Sequence, residues 1–555
     1  MFEDFRLYDP PPADATIARQ FARAVETWAD RPFLHCLPET AARYRDTDPG
    51  TWSYAEAAAQ VDRLVGVYAG RGLGPGHRLA LVMGNRPGFF LHLLALNALG
   101  VCVVPLVIDA PAQAAALMRR AGVTGVVAAE PLMADAQPAA QEAGLSIAPA
   151  HDPGRLAEAP PPPADDAGAD AGPDALAALL FTSGTTGTPK ACRLTNAYFY
   201  GCGARYLRTG GLCALEPGRE RLITPLPVNH MNALAVSFMA MMMCGGCLIQ
   251  LDRFHPREWW DSVRGSAATV LHYLGVMPAM LLNAPEAPQD STIGDQVRFG
   301  FGAGVDPKHH EVFERRFGFP LVEAWAMTES GAAGQIVAAH APRHVGTRCF
   351  GRADDDLAVR VVDEAGADVA EGAPGELLVR AAGDDPRRYF FGGYDGDPAA
   401  TAAIWAGDWL HTGDIVRRGE DGSFYFVDRN KNIVRRAGEN IAAVEVEGVL
   451  MQHGAVEAVA IAPVPDEIRG EEVMALVVPR DVSADAATLA AELVDFVAQR
   501  LAYFKAPGYL ALIDALPKTQ SEKIARGQLK TLCRDMVEDG RAADVRALKK
   551  PKKTA

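Results

Sequence analysis

Residues 79–104 read LALVMGNRPGFFLHLLALNALGVCVV, and this stretch decides the fold. Leu79-Ala80-Leu81-Val82-Met83 is a short, unbroken apolar run, the pattern of a strand buried on both faces. Asn85 and Pro87 follow as helix-start residues, proline being suited to a first turn whose N–H groups have no partner anyway. Phe89, Phe90, Leu93, Leu94 and Leu96 continue as an apolar helix. Gly100 punctuates, and Val101-Cys102-Val103-Val104 supplies a second buried strand. Strand, helix and strand in this order predict a mostly parallel sheet covered by helices.

Outward from this unit, composition marks the boundaries. Between residues 148 and 174 the chain collapses into Ala, Pro, Asp and Gly, with four consecutive prolines from Pro160 to Pro163. Such a segment buries too little surface to offset its ordering entropy, which predicts a flexible loop or linker. Residues 176–181 make the next strand. A second shift comes near Asp428. Beyond it, 432–436 and 456–462 read as strands, and 486–501 carries helical spacing through Leu489, Leu493, Phe496, Val497 and Leu501. The expected division is 1–428, a small C-terminal domain over 429–545, and a basic tail over 546–555. That tail, with Lys549, Lys550, Lys552 and Lys553, reads as solvated.

At 555 residues the chain exceeds one hydrophobic core. A net charge of −15, with no basic patch in the body, argues against nucleic acid as partner. The stretch 234–251 is the most apolar, but Ser237, Gly245, Gly246 and Gln250 interrupt it. A buried helix, a Gly-Gly turn and a core strand explain it better than a membrane span. The first residues, Met1-Phe2-Glu3-Asp4-Phe5, lack the basic and apolar regions of an export leader. Nine irregularly spaced cysteines then point to reduced thiols in a cytoplasmic protein, and Cys244 and Cys247 read as packed thiols.

The sharpest chemical signal is Thr182-Ser183-Gly184-Thr185-Thr186-Gly187-Thr188-Pro189-Lys190, directly after an apolar strand. Glycines let backbone N–H groups turn toward an anion, hydroxyls add donors and the lysine adds charge. The loop lacks the terminal G-K-[ST] of a Walker A motif.

This segment resembles the phosphate loop T-S-G-T-T-G-x-P-K-G of the adenylate-forming superfamily, which includes acyl-CoA synthetases, peptide-synthetase adenylation domains and luciferases. Ala191 stands where the family has its last glycine. Further motifs follow in family order, so the resemblance spans roughly residues 51–526. Trp325-Ala326-Met327-Thr328-Glu329 is similar to Y-G-x-T-E. The resemblance implies that Thr328 contacts the α-phosphate and acyl carboxylate and that Glu329 binds Mg2+, a metal that prefers hard carboxylate oxygens. Trp325 would face adenine, and Ala326 adds a methyl where the acyl pocket begins. Gly302-Ala303-Gly304 resembles the adenine-contacting G-G-A turn. Asp408-Trp409-Leu410-His411-Thr412-Gly413-Asp414 matches the stretch whose aspartate, here Asp414, accepts from both ribose hydroxyls.

Asp428-Arg429-Asn430-Lys431-Asn432 is similar to the hinge motif G-R-x-K-D, departing at Asp428 and Asn432. It assigns Arg429 to the ribose and Lys431 to the pivot, while Gly438 matches the glycine of the thiol-tunnel loop. Pro517-Lys518-Thr519-Gln520-Ser521-Glu522-Lys523-Ile524 resembles P-R-T-x-S-G-K-I, implying that Lys523 reaches into the site during adenylation, with Glu522 replacing a flexible glycine. His230 matches an aromatic position that gates the acyl pocket. Across residues 424–447, local agreement is nearest to crotonobetaine/carnitine–CoA ligases.

The resemblance implies an α/β fold: a large multi-subdomain N-terminal domain with helix-covered parallel-type sheets and a small mobile α+β C-terminal domain. It implies an ATP-dependent acid–CoA ligase using ATP, Mg2+ and coenzyme A on a small carboxylic acid, with no membrane span; a homodimer is left open. Two alternatives stay beside it: an adenylation enzyme that loads a separate carrier protein, and a catalytically dead nucleotide-binding regulator. A luciferase-like oxidase has no specific support.

Overall fold

The structure is a computed structural model that describes residues 4–45, 47–108, 110–162, 172–182, 189–429, 432–436, 439–467, 469–481, 485–518 and 524–549. The strand–helix–strand unit forms as Arg78–Val82, Pro87–Ala98 with its proline in the first turn, and Cys102–Pro105. All residues of both strands are buried. Their neighbours complete a six-stranded sheet in the order Ile147–Pro149, Gly125–Ala128, Arg78–Val82, Cys102–Pro105, Leu176–Thr182 and Lys190–Thr195. All pairs are parallel except the last, which is antiparallel.

A second, eight-stranded sheet has four parallel neighbours at its heart. In spatial order these are Phe299–Ala303, Val270–Leu274, Arg221–Thr224 and Cys247–Gln250. Leu321–Trp325 adds to it in parallel beside Phe299–Ala303. The apolar stretch 234–251 divides as expected into the helix Phe238–Cys244, a turn at Gly245 with φ +71, and the strand Cys247–Gln250. A π-helical turn over Asn232–Ser237 precedes it. Burial raises the Cys244 and Cys247 thiols to about 12 and about 11. Among the described residues, no helix is long and apolar enough to cross a membrane.

The expectation of parallel-type sheets needs an addition. The third sheet, from Cys349–Gly351 through Phe424–Arg429, Trp409–Arg418 and Pro374–Ala381 to Leu357–Val362, is antiparallel throughout. Trp409–Arg418 alternates buried and half-buried positions for most of its length, as a strand with one covered face does.

The smaller C-terminal unit has its own sheet, in which Val456–Asp466 and Gly470–Pro479 form a long hairpin. Its cores draw only on residues from Val434 onward. The helix expected over 486–501 is Ala486–Arg500, started by Asp485, whose side chain accepts from Thr488 N–H.

Two expectations are corrected. The loop over 148–174 is narrower than its composition implies. Ile147–Pro149 pairs with Gly125–Ala128, Leu156 is buried, and His77 Nε2 hydrogen-bonds the Pro160 carbonyl at 2.9 Å. Residues 163–171 lie outside the described residues. Residues 546–549, expected as solvated tail, are instead packed on the C-terminal unit, and 550–555 lie outside the described residues. Arg546–Leu548 is a 3-10 turn, Arg546 bonds Asp466, and the Lys549 amine sits 2.6 Å from Glu472 with its side chain 2% exposed. Long basic side chains lay their methylenes on apolar surface once a carboxylate receives the charge.

Candidate active site

Thr182 closes one strand and Lys190 opens the next, and the two are register partners. Ser183, Gly184, Thr185, Thr186 and Gly187 lie outside the described residues, as do Lys431, Gly438 and Lys523. Lys190 holds its ammonium 4.9 Å from the centroid of the Tyr394 ring. The phenol of that ring donates to Glu329 Oε1 at 2.7 Å. Burial first, and then the Glu329 charge, push the Tyr394 hydroxyl far up, so it stays a donor. Glu329 is 7% exposed, and among the described residues its carboxylate is met by the Tyr394 hydroxyl at Oε1 and by the Cys192 thiol. A buried carboxylate, with Lys190 on the ring of the tyrosine that bonds it, suits a hard divalent cation carried in by phosphates.

Tyr394 is placed by a braced segment. Arg193 N–H donates to the Gly393 carbonyl, Asp395 N–H donates to Ala191, and Arg78 and Arg193 both clasp the Asp395 carboxylate. Thr328 is held from behind, its carbonyl accepting from Tyr198 Oη at 3.0 Å. The same hydroxyl lies 3.8 Å from Met231 Sδ, next to His230, so this tyrosine ties the His230 segment to the Thr328-Glu329 turn. His230 itself is exposed, at the head of the π-helical turn.

Gly302 and Ala303 end the strand Phe299–Ala303, and Gly304 follows it. A Cβ on Gly302 would lie 2.3 Å from the Tyr273 carbonyl, so glycine alone permits this strand spacing. Gly304 has φ +83, and its N–H donates to Glu323 Oε2 at 2.8 Å. Glu323 is fully enclosed; its other oxygen accepts from Tyr273 and Val305, and burial holds its carboxyl above the usual range. Ala303, Gly304 and Ala326 are exposed along this edge.

Beyond Ala326 the ribose candidates meet. Trp325 Nε1 donates to Asp414 Oδ2 at 2.8 Å, and Arg429 Nε lies 2.5 Å from Oδ1. Oδ1 is buried without a proper hydrogen bond and so remains an acceptor. Burial raises the Asp414 carboxyl, while Arg429 and the indole pull it back. The two departures from the expected hinge motif answer each other. Asp428 accepts from Asn432 Nδ2 at 3.1 Å and, through its other oxygen, from Val444 N–H at 3.0 Å.

A family model described as AMP-binding enzyme matches residues 21–384, and its C-terminal domain model matches 445–523. The chain belongs to the AMP-binding enzyme family. Sulfoacetate–CoA ligase of Cupriavidus necator is 30% identical over 93% of this chain and 97% of its own length. A crotonobetaine/carnitine–CoA ligase of Citrobacter koseri is 28% identical, over 86% of this chain and 93% of its own length. ATP-bound MatB from Rhodopseudomonas palustris superposes with a TM-score of 0.76 at 25% identity, covering 94% of this chain and 99% of its own. Resemblance to the adenylate-forming superfamily, and the likeness to the crotonobetaine/carnitine branch, therefore hold.

For an AMP-binding enzyme, the arrangement brings together Lys190, Thr328, Glu329, Trp325, Asp414 and Arg429. Tyr394, Glu323 and Tyr198 were missed. Tyr394 stands in Gly392-Gly393-Tyr394, and Gly393 with φ +98 marks a special turn, but nothing local ties it to a glutamate 65 positions away. Glu323 could have been noticed as an acidic residue inside an apolar strand that ends at Trp325.

Proposed function

We propose that this chain is an ATP-dependent acid–CoA ligase that makes an acyl-adenylate and then an acyl-CoA thioester, releasing pyrophosphate and AMP. One observation carries the reading. An unbroken line of contacts runs from Lys190 through Tyr394 to Glu329, and four residues back along the chain Trp325 meets Asp414, which pairs in turn with Arg429. That line has the order phosphate, metal, ribose, and the Gly302–Gly304 edge supplies the surface for adenine.

The first step is attack of the acid's carboxylate on the α-phosphorus of ATP. Such chemistry asks the protein mainly to position groups and neutralise charge. Lys190 and the 183–188 loop hold the triphosphate, Thr328 meets the α-phosphate and the carboxylate, and Lys523 swings in to meet developing charge. Glu329 would hold Mg2+, which neutralises phosphate oxygens. Asp414 and Arg429 grip the ribose. In the second step a thiol attacks the mixed anhydride and AMP leaves, with the C-terminal domain turning at Lys431 so that the loop of Gly438 forms the thiol tunnel.

The acid is small. Ala326 narrows the acyl entrance by a methyl, His230 stands at its gate, and the two relatives act on sulfoacetate and on crotonobetaine or carnitine. Acid-dependent pyrophosphate exchange into ATP across small polar, short-chain and aromatic acids, followed by CoA-dependent AMP release, tests this. Exchange with no response to CoA would favour loading of a carrier protein, and ATP binding without exchange would mean a dead regulator.

A further inference from the structure

We propose that Trp325 is a positioning residue for ribose recognition: its indole N–H fixes the Asp414 carboxylate so that this group can read both sugar hydroxyls. The proposal rests on the nucleotide reading above and adds a role for a residue otherwise expected only to face adenine.

Trp325 ends the strand Leu321–Trp325 of the eight-stranded sheet, and Asp414 lies in Trp409–Arg418 of the antiparallel sheet. The 2.8 Å bond from Nε1 to Oδ2 therefore crosses from one sheet to the other. Both side chains are buried, Trp325 to 6% and Asp414 to 1% exposure. The indole is held by Phe350, at 6.4 Å between ring centroids, which is in turn stacked on Phe424 at 6.1 Å. An indole so placed donates in one direction only.

A vicinal diol is read by an acceptor pair of fixed orientation, and a carboxylate free to turn about its Cβ–Cγ bond loses that discrimination. Here Oδ2 spends one lone pair on the indole, and Oδ1 faces Arg429 without a satisfied hydrogen bond. Each oxygen keeps a lone pair for one hydroxyl. Arg429 cannot set the orientation alone, since its side chain is 44% exposed. A phenol or phenyl ring at 325 keeps an aromatic face but loses the donor at this point.

The test compares binding of AMP, 2′-deoxy-AMP and 3′-deoxy-AMP to the full chain and to Trp325→Phe and Trp325→Tyr by calorimetry. The unaltered protein should prefer AMP over each deoxy form by about tenfold or more, as for hydrogen bonds to a charged group. Both variants should still bind AMP, with that preference reduced about fivefold or more. An unchanged ratio, whatever happens to overall affinity, would overturn the positioning role. Failure of the unaltered protein to bind AMP would instead overturn the nucleotide reading itself. Should both variants misfold, indole-proton exchange in the unaltered protein decides: slow exchange of the Trp325 Nε1–H with AMP bound supports the proposal, and fast exchange contradicts it.

Discussion

The hydroxyl of Tyr394 donates to Glu329 Oε1 at 2.7 Å, while Lys190 Nζ stands 4.9 Å from the centre of the same ring. One side chain thus meets both the candidate phosphate lysine and the candidate metal ligand. It holds one oxygen of that carboxylate, which the Cys192 thiol also reaches. Tyr394→Phe should raise the Mg2+ concentration needed for half-maximal adenylation about tenfold, the usual scale for losing a bond to a metal ligand. Glu329→Gln should lose far more activity, partly restored by excess Mg2+. A magnesium titration of pyrophosphate exchange checks both, and a deficit indifferent to Mg2+ would remove the metal from this pair.

The two half-reactions should separate by mutation. Lys523→Ala is expected to abolish adenylate formation while sparing thioester formation from supplied acyl-adenylate. Lys431→Pro should do the reverse, because proline fixes φ near −65° and restricts the residue before it, opposing rotation at the hinge. Single-turnover assays of each half-reaction give the comparison. Equal loss of both steps in either variant contradicts its assigned role.

Ala326 is exposed, and under the proposed reading its methyl stands where the acyl pocket begins. Overpacking a tight site costs roughly 1–3 kcal/mol. Short-chain and other small acids should therefore be preferred, and Ala326→Gly should lengthen the accepted chain. Efficient turnover of a long fatty acid by the unaltered protein would contradict this.

Lys549 makes stability depend on pH. Burial lowers its ammonium to about 8, against the pull of Glu472. The unfolded chain, with an ordinary lysine, binds more protons between the two values, so stability rises with pH across that window. The gain should be about 1–2 kcal/mol from roughly pH 7.5 to 9.5. It should vanish in Lys549→Met, where Arg436 still pairs with Glu472 at 2.8 Å. Urea unfolding at several pH values reads the difference directly, and parallel curves for the two proteins would mean that the amine is solvated.

Local patterns in the chain reach the fold only so far. The run from Leu79 to Val104 carries its strand and helix boundaries to within a residue or two, because apolar periodicity and Pro87 act locally. Trp409–Arg418 carries all but the first residue of a motif legible from seven consecutive residues, yet the antiparallel sheet around it depends on strands far apart in sequence. The packing of residues 148–160 escaped notice for the same reason: a three-residue strand such as Ile147–Pro149 is defined by its partner, not by its composition. At the site, Lys190, Glu329 and Asp414 were readable from motifs. Their connections through Tyr394 and Trp325 were not, since Trp325 and Asp414 are 89 positions apart and meet only when two sheets come together.

The most direct measurement follows oxygen. A substrate acid found in the exchange screen, labelled with 18O in its carboxylate, is incubated with ATP, Mg2+ and CoA, and the products are weighed by mass spectrometry. Attack of the carboxylate on the α-phosphorus, then displacement by CoA, should leave one labelled oxygen in each AMP and form one acyl-CoA per AMP, with unlabelled pyrophosphate. Label in inorganic phosphate together with ADP, or AMP without label, would contradict the adenylate route.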